Sequence, residues 1–171
     1  HKNKCGKIRM LSIIIFRHGK SNWDAIYDKD HNRPLSKRGI KAAKKMGNYL
    51  KQINQIPDVV ISSSAIRAKH TAEIAMNSGE WKSIFYIEPK IYGGSSEELI
   101  NIIHKIDKKI KTVCLVGHEP TCSSFISLST FHSQRFTTAS MAKIDFKFKK
   151  WSEISFGKGI LSWIKSPKEI S

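Results

Sequence analysis

The sequence predicts an α/β fold in which a mainly parallel sheet is covered by helices. Three observations carry that expectation. Short unbroken apolar runs recur, as in LSIIIF (11–16), DVVIS (58–62) and TVCLV (112–116), and such runs suit strands covered on both faces. Between them lie segments with apolar residues three and four apart, the period of a helix with one buried face. Cap and turn residues separate the two kinds of segment.

The elements follow in order. Leu11–Phe16 is a first strand. Ser36 caps a helix whose apolar face is Ile40, Ala43, Met46, Gly47, Leu50 and Ile53, with lysines opposite and Pro57 beyond its end. Asp58–Ser62 is a second strand, and a second helix runs from Ala65 to about Asn77, closed by Ser78-Gly79. Ile84–Ile87 reads as a shorter third strand. Ser95 and Glu98 make a capping box, and Leu99, Ile102, Ile103, Ile106 and Ile110 share one face of the helix it starts. Thr112–Val116 is a fourth strand, and a helix follows from near Pro120 to about Phe131. MAKIDFKF (141–148) alternates apolar and charged residues, as a strand with one wet face does. After a turn at Gly157-Lys158-Gly159, ILSWI (160–164) is the last strand.

The chain has 171 residues, enough for one domain with its own core. Residues 1–10 read as a basic extension and residues 11–171 as the single domain. Lys2, Lys4, Lys7 and Arg9 ahead of an apolar run mimic a secretion signal, but Leu11–Phe16 is shorter than such a signal's apolar core. No apolar stretch approaches the roughly 20 residues of a membrane span. Cys5, Cys114 and Cys122 form no disulfide or metal pattern, which fits a reducing, cytoplasmic setting. The residues six positions after them are Leu11, Pro120 and Leu128, so none is the nucleophile of a Cys-x5-Arg phosphatase. The net charge of +16 favours anionic partners. The lysines are spread along the chain and read mostly as solvated faces; without interleaved aromatics they do not compose a nucleic-acid motif.

Chemistry is expected at the carboxyl edge of the sheet, where α/β folds bind ligands. The first strand ends in Arg17-His18-Gly19, the second runs through Ser62-Ser63-Ser64 into a helix carrying Arg67, and the fourth ends in Gly117-His118-Glu119-Pro120. One histidine after a strand is ordinarily structural. Two histidines and two arginines at equivalent strand ends suit phosphoryl transfer. Arginine holds phosphate oxygens through a planar charged fork, a neutral imidazole can attack phosphorus, and a second, protonated histidine would stabilise the oxygens' charge. The pattern calls for no cofactor. No two of the seven histidines stand three or four residues apart, as metal ligands on a helix would, and no Walker-type loop is present.

These residues resemble the histidine phosphatase superfamily, from Ser12 to about Pro167. RHGKSNWD (17–24) resembles its nucleophile motif, SSSAIRAKHTAEIA (62–75) its second-arginine motif and VGHEPT (116–121) its second-histidine motif. Within the superfamily, Arg-His-x-Lys-Ser-x-Trp at 17–23, NRPLSKRG (32–39), FTTAS (136–140) and SWIKSP (162–167) are most similar to the small SixA-type phosphohistidine phosphatases. The resemblance implies a three-layer α/β/α sandwich of the phosphoglycerate mutase-like kind. It implies His18 as nucleophile, Arg17, Arg67 and His118 around the phosphate, and Lys20 and Ser21 at the pocket rim. Arg33 could face the pocket or anchor its loop.

The chain departs from the family pattern at Ser64 (usually proline), His70 (usually glutamine) and Glu119. Glu119 reads as a helix-start residue, or as a charge that keeps His118 cationic. The superfamily's larger members use a carboxylate as general acid; here Glu97 and Glu119 are the candidates, with Glu98 already engaged by its cap. Phosphohistidine has a good leaving group and can dispense with a strong acid, so Tyr92-Gly93-Gly94 would be an open rim. The resemblance thus implies a metal-independent phosphatase. Its partner would be a phosphorylated protein, such as a histidine phosphotransfer domain, or a small phosphorylated substrate. A basic nucleic-acid-binding module is the alternative from another class.

Overall fold

The computed structural model describes residues 9–171. Six strands form one sheet: β1 (Arg9–Arg17), β2 (Val59–Ser62), β3 (Ile84–Ile87), β4 (Thr112–Gly117), β5 (Met141–Phe148) and β6 (Ile160–Lys165). Their order is β3-β2-β4-β1-β5-β6. The β3–β2, β2–β4 and β4–β1 pairs are parallel, and β5 and β6 continue the sheet antiparallel. Four helices cover it: α1 (Lys37–Gln52), α2 (Ile66–Ser78), α3 (Ser96–His104) and α4 (Thr121–Thr130).

The central strand explains the three layers. Successive side chains of a strand point to opposite faces. Leu11, Ile13 and Ile15 join the core under α3 and α4, with Leu99, Ile103 and Phe125. Ile14 and Phe16 join the opposite core, under α1 and α2, with Met46, Leu50 and Ala72. All five strand side chains are at most 1% exposed. Truncating one of the isoleucines to alanine costs about 2–5 kcal/mol, because neither packed face can collapse into the gap. The loop after β1 inherits that rigidity.

Ser36 caps α1 as expected, accepting the Gly39 N–H at 3.1 Å. Its hydroxyl also donates to the Lys20 carbonyl at 2.9 Å, tying the start of α1 to the loop that follows β1. The two backbones lie so close that a Cβ on Gly39 would stand 2.2 Å from the Lys20 carbonyl oxygen.

Two boundaries differ from the sequence reading by more than one residue. β1 begins at Arg9, because Arg9 and Met10 pair with Phe148 and Lys147 of β5; the rest of the basic extension, residues 1–8, lies outside the described residues. The third helix ends at His104 rather than reaching Ile110. Asp107 accepts the Lys109 N–H on its carboxylate and the Ile110 N–H on its backbone carbonyl in a local turn, an alternative to continuing the helix. Ile106 and Ile110 still pack against the core, from that turn.

Candidate active site

Register delivers the site. Arg17 stands opposite Gly117 on the parallel neighbour β4, and Ser62 of β2 stands opposite Val116. Arg17-His18, Ser63 and His118 therefore leave three adjacent strands at one carboxyl edge, and α2 brings Arg67 to the same edge. His18, Arg67 and Ser63 are buried there.

His18 is held from three sides. Its N–H donates to the Gly117 carbonyl at 3.1 Å, and its own carbonyl accepts from Ala139 at 3.0 Å. Its imidazole Nδ1 lies 2.6 Å from the Gly19 carbonyl. A carbonyl can only accept, so Nδ1 carries the proton and Nε2 keeps a lone pair. Arg67 Nε donates to that Nε2 at 3.3 Å. Burial above all, and then the charges of Arg67, Arg17 and Arg33, push the His18 pKa down to about 4, against the opposing pull of the Gly19 carbonyl. The ring is neutral at pH 7, as a nucleophile must be. Thr71 braces the arrangement: its hydroxyl accepts the Gly19 N–H at 3.0 Å and donates to the Arg67 carbonyl at 2.7 Å.

Arg17 donates through Nη1 to the Phe136 carbonyl at 2.9 Å, while its buried Nε has no protein partner. His118 faces His18 with ring centroids 5.1 Å apart. Its Nε2 lies 2.8 Å from Ser63 Oγ, and its buried Nδ1 has no protein partner either. Two orphaned buried polar atoms beside an unprotonated imidazole fit an anion with several acceptor oxygens.

Two sequence expectations are corrected here. Burial, and then the charges of His18 and Arg67, lower the His118 pKa to about 3, so the ring is neutral rather than cationic. Glu119 does not prevent this. Its carboxylate accepts the Ser123 N–H at 2.7 Å and serves the start of α4. Ser21 does not form the rim. It is buried and accepts Arg33 Nε at 2.9 Å.

Arg33 takes the second of the two roles left open for it. It is buried and anchors its loop through Ser21, with its guanidinium stacked 3.6 Å from the Trp23 ring centroid. It also lies near enough to add to the charge acting on His18. Lys20 is exposed and lines a groove of about 700 Å³ that continues from Arg17. That groove carries Arg38, Arg135 and Lys168 as well, with Glu119 as the single acid lining it. Glu97 sits exposed in the first turn of α3 and makes no hydrogen bond to a pocket side chain. FTTAS now has a structural role, since Phe136, Ala139 and Ser140 all bond to Arg17 or His18.

The sequence reading missed Asp30. In a 3-10 turn at Asp30–Asn32, its carboxylate accepts from Arg67 Nη2 at 3.0 Å, from Tyr92 OH at 2.8 Å and from Arg33 Nη1. Its position three residues before Arg33 was a weak hint of a local ion pair. The contacts with Arg67 and Tyr92 bridge 37 and 62 residues and leave no local pattern. The neighbouring His31 bonds to Ser64 Oγ at 2.9 Å, so the residue that departs from the family's proline helps hold this turn.

A second groove, of about 570 Å³ between β3 and α3, is lined by isoleucines and charged side chains in equal number and contains none of these side chains. Among the described residues no three His, Cys, Asp or Glu side chains cluster to hold a metal ion, and no helix is long and apolar enough to cross a membrane.

Residues 13–85 match the family model described as histidine phosphatase superfamily (branch 1). An uncharacterized chloroplastic protein of Arabidopsis thaliana is 29% identical over 160 residues, covering 88% of this chain and 73% of that protein. The protein histidine phosphatase SixA, solved in complex with tungstate, superposes with a TM-score of 0.80 at 23% identity, covering 92% of this chain and 98% of its own. A phosphoglycerate mutase from Bacillus anthracis superposes with a TM-score of 0.68 at 17% identity, covering 94% and 93%. At these identities the two structures establish the shared fold, which is the phosphoglycerate mutase-like sandwich expected.

Proposed function

We propose that the chain is a member of the histidine phosphatase superfamily, whose family model matches residues 13–85, and that it is a phosphatase acting through phosphorylated His18, with phosphohistidine on a protein as substrate. The observation that carries the reading is the protonation state of His18. Its Nδ1–H is committed to the Gly19 carbonyl and its Nε2 lone pair stands beside Arg67. Nε2 attacks phosphorus, the bond from phosphorus to the substrate imidazole breaks, and that imidazole, already protonated by solvent on its other ring nitrogen, leaves neutral with the electron pair. Water then attacks the phosphorus on His18, phosphate departs, and Nε2 recovers its lone pair.

Arg17 Nε, His118 Nδ1 and the Nε edge of Arg67 receive the phosphoryl oxygens. The bound tungstate of SixA, an oxyanion of the same shape, supports such a site. The charges of Arg17, Arg33 and Arg67 supply what a metal ion would otherwise supply, so the reaction runs without one. As the dianion arrives it raises the His118 pKa, and that ring becomes a stronger donor as charge builds.

The leaving group is read from the acids. Glu119 is committed to α4, Glu97 is exposed on α3, and hydrogen bonds from Tyr92, Arg33 and Arg67 hold Asp30 ionised. An alkoxide leaving group would need a proton from one of them, whereas an imidazole leaves without it. The basic groove running from Arg17 to Lys168 supports a protein carrying acidic side chains beside its phosphohistidine.

The test is hydrolysis of a phosphohistidine protein and of small phosphate esters side by side, with rapid quench to trap phosphate on the enzyme. Acid-labile phosphate on His18 and faster turnover of the phosphohistidine are expected. His18→Ala is expected to lower turnover by roughly 10³-fold or more. Faster turnover of the esters would overturn the substrate, and near-normal activity of His18→Ala would overturn the mechanism.

A further inference from the structure

Arg67 is the only pocket arginine held along a whole edge of its guanidinium. Its Nη1 donates to the Asp30 carbonyl at 2.8 Å and its Nη2 to the Asp30 carboxylate at 3.0 Å. Asp30 thus grips one side of the fork with both its backbone and its side chain. The other side, carrying Nε, points at His18 Nε2. A guanidinium has five N–H groups in a fixed plane. Holding two of them on the outer edge therefore sets the direction of the inner edge without using the hydrogens that face the nucleophile.

The same carboxylate reaches further. Tyr92 OH and Arg33 Nη1 donate to it. Tyr92 lies edge-on to His118 with centroids 5.5 Å apart, and edge-on to His31 at 4.9 Å. Arg33 is fixed at its other end by Ser21. One half-exposed carboxylate, 49% accessible, thereby joins two buried arginines to the tyrosine at the rim.

We propose that Asp30 is a positioning residue: it clamps the outer edge of Arg67, and through Tyr92 and Arg33 the pocket rim, so that the inner edge of Arg67 meets the phosphoryl group in line with His18. Asp30 itself does not touch the substrate. The opposite assignment, an internal anion that competes with phosphate for Arg67, fits the geometry less well, because Asp30 takes only Nη1 and Nη2 and leaves the Nε edge turned to His18. The inference rests on Arg67 as a phosphate ligand, not on the identity of the leaving group.

The experiment reads the pocket with tungstate and inorganic phosphate, by calorimetry, in the intact chain. Asp30→Ala is expected to weaken binding of both ions at least tenfold and to broaden or lose the Arg67 Nε–H resonance in a nitrogen-15 spectrum. Asp30→Asn keeps a carbonyl acceptor for Nη2 and the backbone carbonyl for Nη1, and is expected to recover part of both. In an Arg67→Ala background, Asp30→Ala should add little, since the residue acts through the arginine. Thermal melts of each variant check folding, which Asp30→Asn is least able to disturb.

Unchanged or tighter ion binding in Asp30→Ala, or a full additional loss in the Arg67→Ala background, overturns the clamp; tighter binding would identify a competitor instead. These outcomes are independent of turnover. A protein that hydrolyses esters faster than phosphohistidine, yet shows the expected ion binding, keeps the clamp and loses the substrate assignment.

Discussion

His118 and Ser63 are joined by one hydrogen bond, 2.8 Å from imidazole Nε2 to the hydroxyl Oγ, and it decides which ring nitrogen faces the pocket. Ser63 Oγ also accepts the Ala65 N–H at 3.2 Å. Its single proton is free to go to His118 Nε2, and in that tautomer the imidazole proton sits on Nδ1, the atom without a protein partner. A neutral His118 can then donate to a phosphoryl oxygen.

Ser63→Ala is expected to lower kcat/KM about fivefold, the size of one lost hydrogen bond near 1 kcal/mol, with His18 still phosphorylated. Steady-state kinetics check the rate and nitrogen-15 shifts of His118 check the tautomer. An unchanged rate together with an unchanged tautomer would remove Ser63 from the site.

Protonating His18 removes the attacking lone pair, and its pKa is lowered to about 4. In the free enzyme kcat/KM should therefore be level from about pH 5 to 7 and fall as the pH drops through 4. A profile that falls between pH 7 and 6 would show His18 with an ordinary histidine pKa.

Stability follows the same groups with a definite sign. The folded pKa values of about 4 for His18 and about 3 for His118 lie below their ordinary 6.5. The unfolded chain then binds more protons in that interval, so stability rises with pH. The full contribution is present above 6.5 and is lost as the pH falls towards 4 and 3, at up to about 1.4 kcal/mol per pH unit for each histidine. Urea unfolding at pH 7 and pH 5 measures it, and His18→Asn should flatten the dependence.

Arg38, Arg135 and Lys168 line the groove without bonding to His18. The combined variant Arg38→Gln, Arg135→Gln, Lys168→Gln should cut kcat/KM roughly tenfold on a phosphohistidine peptide flanked by glutamates at low salt. It should leave hydrolysis of phosphoramidate unchanged. Equal rates for wild type on glutamate-flanked and glutamine-flanked peptides would take the groove out of substrate selection.

Gly39→Ala reverses a common rule. Alanine inside a helix ordinarily stabilises by about 1 kcal/mol relative to glycine. Here the new Cβ would stand 2.2 Å from the Lys20 carbonyl oxygen. A loss of about 1–3 kcal/mol is expected from overpacking, along with reduced activity, because the displaced loop follows directly on His18. Denaturant melts and kinetics of one purified variant report both.

Much of this protein was legible along the chain. LSIIIF is a buried strand because unbroken aliphatic runs suit a two-sided core, and β1 shows both faces packed. Arg17, His18, Arg67 and His118 could be placed at one edge because parallel strands all end on the same side. The end of α3 was not legible, because the helical spacing of Ile106 and Ile110 continues through a turn made by Asp107.

What the sequence by itself determined is the layer order, the strand ends and the residue types they carry, since periodicity and capping are local. Only the tertiary structure decided how those residues are set. The Ser63 contact that orients His118, the Gly19 carbonyl that fixes the His18 proton, the inward turn of Ser21 and the grip of Asp30 on Arg67 all depend on distances and directions in space. Three of these join loops to partners 12 to 55 residues away. Burial then lowered both histidine pKa values, and burial belongs to the packed whole rather than to either motif.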